Sequence, residues 1–131
     1  MDFIISDSGP IVIEINARFQ GSLDTVELAT GINIFDAHVK AFGGELPEKP
    51  ETGQFAARAV LYTDRDVVIN KQVLDGILKE NTADIPNDGH KAFAGEPVTS
   101  IIATGRSRQD VLENIRNSVF RIRKLLDGAH Q

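Results

Sequence analysis

The stretch Glu14-Ile15-Asn16-Ala17-Arg18 has the residue types and spacing best suited to chemistry. Side chains alternate along an extended strand, so Glu14, Asn16 and Arg18 share one face. That face then carries a carboxylate, an amide oxygen and a guanidinium in a row. Carboxylate and amide oxygens are hard donors of the kind Mg²⁺ takes. A guanidinium beside them is suited to stabilising charge that builds on oxygens in transit. The plainer alternative is a solvated sheet face on which these residues only meet water.

The elements that must position them start at the amino terminus. Residues 2–7 and 11–16 are rich in Ile, Val and Phe, and Asp7-Ser8-Gly9-Pro10 between them is turn chemistry. A β-hairpin is expected. Ile11, Ile13 and Ile15 point one way, toward a core, and Val12, Glu14 and Asn16 point the other. With a three-residue loop, Asp2 faces Asn16 and Ile4 faces Glu14, which brings Asp2 into the metal-binding face. A two-residue loop breaks that arrangement.

Two helical pieces are expected over 22–43. Ser22 or Asp24 caps the first and Gly31 interrupts it. Asn33 caps the second, which carries Ile34, Phe35, His38, Val39 and Phe42 on one face and ends at Gly43-Gly44. Residues 45–53 read as a polar linker. Residues 54–63 alternate as a strand, with Phe55, Ala57, Ala59 and Leu61 opposite Arg58, Val60 and Tyr62; Val67 to Ile69 continues it after a turn. Residues 71–80 fit helix or strand equally. Residues 82–97 hold two Pro and two Gly and read as a loop. A strand is expected over 98–103. Ser107, with Asp110 three residues on, caps a final helix striped by Val111, Ile115, Val119, Ile122 and Leu126.

The hairpin and its tail resemble the carboxyl-terminal part of an ATP-grasp ligase. In that family a metal carboxylate is followed about a dozen residues later by Glu-x-Asn and then Arg. Here Asp2 precedes Glu14 by 12 positions, and Ile-Glu-Ile-Asn-Ala-Arg-Phe-Gln-Gly-Ser at 13–22 looks like the motif and its tail. The helix of residues 25–31 ending in Thr30-Gly31, the strand around Ala57-Arg58-Ala59, and residues 105–115 are similar to the biotin carboxylase and carbamoyl-phosphate synthase branch. The resemblance implies that Asp2, Glu14 and Asn16 hold Mg²⁺ (or Mn²⁺) on the phosphates of ATP. It implies further that Glu14, Asn16 and Gln20 belong to the nucleotide and substrate site, and that Arg18 is catalytic. Asp2 stands where biotin carboxylase has Glu, and Ser22 where it keeps a carboxylate, so the resemblance does not extend to carboxylation itself. No Met-Lys-Met biotin attachment site is present.

Composition narrows the remaining classes. The chain has 131 residues, a net charge of −5 and no cysteine. Disulfide and thiolate chemistry are excluded. No basic stripe of the kind nucleic-acid binders carry is evident. No apolar run approaches the roughly 20 residues of a membrane span, and a cytoplasmic setting is expected. His38, His90 and His130 lack ligand spacing, and Asp84, Asp88 and His90 form a polar loop.

The expected fold class is α+β. Residues 1–45 form the end of an ATP-grasp domain with its metal-site hairpin, and 46–131 form a small strand-and-helix subdomain. The strand pattern begins at once, which suggests that an amino-terminal half lies elsewhere; no glycine-rich phosphate loop occurs in the first 20 residues. The expected parent activity is ATP-dependent ligation of a small carboxylate to an amine or similar nucleophile through an acyl phosphate. The isolated chain is expected to be inactive, and its orphaned hairpin edge makes a homo-oligomer possible. The rival is a non-catalytic accessory or binding module that keeps the fold.

Overall fold

The computed structural model describes residues 2–16 and 18–128. The fold is mixed α+β, with small antiparallel sheets and four helices among the described residues. The amino-terminal hairpin is β1 (Asp2–Ser6) and β2 (Gly9–Glu14). It is followed by α1 (Leu23–Thr30) and α2 (Ile34–Ala41). Gly31 closes α1 at φ 73°, a left-handed geometry that glycine adopts without a Cβ penalty. Asn33 caps α2, its side chain accepting from the Asp36 N–H at 2.8 Å. The polar segment 45–53 has no regular structure.

The carboxyl-terminal part is built on β3 (Phe55–Tyr62), β5 (Thr82–Ala83) and β7 (Pro97–Gly105), with β7 in the middle. A second pair, β4 (Val67–Val68) with β6 (Lys91–Ala92), lies beside it. Val67 therefore does not extend β3: the turn after Tyr62 sends the chain to a different partner. Segment 82–97 is likewise not wholly loop, since it supplies β5 and β6. Two-residue strands are too short to leave a periodic pattern. The ambiguous segment resolves as α3 (Lys71–Leu78), capped by Asn70, whose side chain accepts from the Val73 N–H at 3.0 Å.

The last helix, α4 (Arg108–Gly128), packs on β7 and β3 and against α3. Its start is a reciprocal capping box. Ser107 Oγ accepts from the Asp110 N–H at 3.1 Å, and Asp110 Oδ2 accepts from the Ser107 N–H at 3.0 Å.

The core comprises Leu61, Val67, Ile69, Val73, Ile77, Ala92, Val98, Ile101, Ile122 and Leu126. No described residue before Leu61 is fully buried. The expectation that Ile11, Ile13 and Ile15 build the core is therefore wrong: they are 55%, 62% and 72% exposed. The hairpin is apolar on both faces, and its neighbours in this chain cover neither. No helix among the described residues is long and apolar enough to cross a membrane. His130 lies outside the described residues.

Candidate functional site: the open end of the hairpin

The hairpin turns on two residues, Asp7 and Ser8, with Ser6 opposite Gly9. The three-residue loop is not formed, and Ile4 faces Ile11 rather than Glu14. The two-residue turn alone would have carried Glu14 out of register with Asp2. A bulge corrects this. Phe3 pairs with Val12 and Asp2 with Glu14, so Ile13 is the extra residue. A bulge adds one residue to one strand and re-aims the side chains beyond it. The result is that Asp2 and Glu14 sit opposite each other at the open end of the hairpin.

Asn16 completes the group. Its Nδ2 donates to Asp2 Oδ2 at 3.3 Å, which leaves its Oδ1 as an acceptor. Asp2 is thus paired with Glu14 along the backbone and hydrogen-bonded by the Asn16 amide nitrogen, which are not the facing pairs read from the sequence. This donor set suits a hard cation that keeps several of its waters. Among the described residues no three His, Cys, Asp or Glu side chains come together as a cation cage. The Asp2–Glu14–Asn16 group is an open set of two carboxylates and an amide.

The tail of the motif is fixed from two sides. The ring of Phe19 stacks on Phe35 of α2, with centroids 5.9 Å apart and planes at 22°, and meets His38 at 5.0 Å. His38 meets Phe42 edge-on at 5.3 Å, so it is a packing residue of α2. Two residues past Phe19, the Gly21 carbonyl accepts from Arg58 Nη1. Arg18 is exposed beside the hairpin's open end in sequence, and Gln20 is half-buried, its carbonyl accepting from the Leu23 N–H at 3.2 Å. Asp2, Glu14 and Asn16 are therefore brought together. Arg18 and Gln20 follow them on a segment that α2 and Arg58 hold.

Arg58 is the residue whose full role the sequence understated. It lies on β3 and reaches four partners. Nη1 donates to the Gly21 carbonyl and to Asp24 Oδ2 at 2.9 Å; Nη2 donates to Asp84 Oδ2 and to Ser100 Oγ at 3.2 Å. Asp84 has φ 55°, an unusual conformation for a residue with a side chain. Ser100 Oγ donates to it at 2.6 Å. That hydrogen bond and the Arg58 guanidinium hold the Asp84 carboxyl below the usual carboxylate range, and Asp84 in turn raises Arg58. The sequence signal was a lone guanidinium on an otherwise apolar strand. Its partners, far apart in the chain, left no signal. Asp84 thus belongs to this junction; Asp88 and His90 are exposed in the neighbouring loop.

The chain aligns with an uncharacterized protein of Methanocaldococcus jannaschii at 24% identity over 120 residues, 92% of this chain and 28% of that protein. It aligns with the uncharacterized protein y4rH of Sinorhizobium fredii at 30% identity over 108 residues, 80% of this chain and 22% of that protein. The chain thus spans about a quarter of the length of the curated relatives it matches. No protein-family model matches it, and no solved structure matches it at a significant level.

Proposed function

We propose that this chain carries the metal-binding end of an ATP-grasp-type ligase site, in a protein that joins a small carboxylate to an amine or similar nucleophile through an acyl phosphate. The observation that carries the reading is the bulge that sets Asp2 opposite Glu14, with Asn16 hydrogen-bonded to Asp2. The alignments with much longer proteins fit a place as one part of a larger protein.

In this reading Asp2, Glu14 and Asn16 would hold Mg²⁺, which when bound offsets charge on the phosphate oxygens of ATP. Arg18 stabilises negative charge as the phosphoryl group moves, from an exposed position a few residues past the ligands. Gln20 contacts substrate or nucleotide. Phe19 and Arg58 hold the segment so that Arg18 and Gln20 need not be ordered at each turnover. The nucleotide-holding half would come from the rest of the protein, so the isolated chain should not hydrolyse ATP.

The test is paramagnetic broadening by Mn²⁺ of the backbone amide signals of the purified chain. Broadening should centre on residues 2, 14 and 16, be competed by Mg²⁺, and be lost in Glu14→Gln. Broadening that is uniform over the acidic surface, or unchanged in Glu14→Gln, would remove the basis for the metal site.

A further inference from the structure

The two long-range features of the carboxyl-terminal part that the site does not use are α3 and the last turns of α4. Between them runs an open groove of about 1000 Å³. Its floor is apolar. A Cβ on Gly76 would lie 2.0 Å from Leu125 Cδ1, so the bare glycine lets the two helices touch and leaves backbone and leucine at the bottom. One wall presents Phe120, 69% exposed. An aromatic ring of this size left in water at the lip of a groove marks an interaction surface more often than an isolated exposed residue does.

The charge around it is the reverse of the molecule's. Four cations and two carboxylates line the groove, giving it a net charge of +2 in a chain of −5. Glu80 and Arg121 neutralise each other in a two-pronged pair at 2.6 and 2.7 Å. Lys71, Lys79 and Lys124 enter none of the ion pairs found among the described residues, and Asp75 alone opposes them. The groove is thus an apolar trough with a positive rim.

We propose that this groove docks an acidic amphipathic helix of a partner protein. Its walls, Lys71–Lys79 and Phe120–Gly128, are about 12 Å long at 1.5 Å per residue, and a helix is about 10–12 Å across. A third helix laid along the groove therefore sets about two turns, at 5.4 Å each, against both walls, its apolar stripe on Leu125 and Phe120 and its carboxylates on the lysine rim. A small molecule would stay largely solvated in so open a trough. Rim lysines would speed encounter and set orientation, and the apolar floor would set the lifetime of the complex.

The experiment titrates the isotope-labelled full chain with a synthetic peptide of about three turns that carries Leu on one face and Glu on the other. Amide shifts should be confined to residues 71–80 and 118–128. Raising salt should weaken binding, and the double variant Lys71→Glu with Lys124→Glu should bind about tenfold more weakly. Phe120→Asp should abolish the shifts while the rest of the spectrum stays unchanged, which shows that the fold is intact. The proposal is overturned if the shifts fall on the apolar hairpin instead. It is equally overturned if a Lys-for-Glu peptide binds as well, or if a single-stranded oligonucleotide moves the same amides and the acidic peptide does not.

Discussion

Arg58 joins two parts of the chain that share little else. It holds the Gly21 carbonyl and Asp24 on one side, and Asp84 and Ser100 on the other. Its planar fork makes four contacts that a single ammonium cannot reproduce. Arg58→Lys should therefore release the segment around 21–24 while leaving the core alone. The stability cost is modest, about 1 kcal/mol, because Asp84 is 64% exposed and its attraction is screened. Hydrogen exchange checks this. Amides of 21–24 should lose protection while those of Ile101 and Ile122 keep it; loss of protection throughout would show that Arg58 supports the core instead. Glu80 is a second case of one residue acting through several bonds. It accepts from Arg121 and from Ser118 Oγ at 2.7 Å, and these bonds hold its carboxyl below the usual range. Its contribution is complete above the unfolded carboxylate pKa and is lost as pH falls through the depressed folded value. Glu80→Gln should lower the melting temperature at neutral pH and flatten the acid limb of the curve. A parallel acid limb in the variant would assign the acid sensitivity elsewhere.

At the scale of elements, the carboxyl-terminal helix and its capping box were legible in the sequence, as were the helix pair over 22–43 and the strands around 55–62 and 97–105. Each of these has a local cause: a cap, a glycine stop, or a period carried over many residues. The hairpin was legible as an element but not in register. Its turn length and the Ile13 bulge are settled by backbone geometry that hydrophobic alternation does not encode. The same bulge brings Asp2 opposite Glu14, so the pairing within the candidate site differs from the one read in the sequence. Burial was misread for a related reason. An alternating strand predicts a covered face only if something covers it, and here Ile5 and Ile13 are 72% and 62% exposed. A flat apolar hairpin with open edges tends to pair with another copy. Sedimentation should thus show association that grows with concentration. Ile5→Lys with Ile13→Lys should suppress it without moving the melting temperature, since neither side chain touches the core. A strictly monomeric wild-type chain at high concentration would contradict this.

Taken whole, the molecule keeps its stability in one part and its candidate chemistry in another. Every member of the core cluster lies between Leu61 and Leu126, and the sheet of β3, β7 and β5 with α3 and α4 closes around it. The hairpin and the first two helices contribute no fully buried residue. They are attached through the packing of α1 on β3 and β7, the Gly53 N–H donating to the Ala29 carbonyl at 2.9 Å, the Gln54 side chain donating to the Leu28 carbonyl at 2.8 Å, and Arg58. A chain beginning at residue 54 should consequently fold by itself. It keeps the full apolar cluster and both ends of the capping box, and loses the cover that α1 gives to β3 and β7 together with the bonds of Gln54 to Leu28 and of Arg58 to Gly21 and Asp24. Uncovering half-buried alanines exposes little apolar surface, so the expected loss is roughly 1–3 kcal/mol against a total of about 5–15 kcal/mol. Thermal unfolding followed by circular dichroism should show a single cooperative transition at a lower temperature than the full chain. The amide signals of Ile69, Ile77, Ile101 and Ile122 should stay where they are in the full chain. If the shortened chain has no cooperative transition, the hairpin and first helices are part of the folding unit, and the division between a stable body and an attached site segment does not hold.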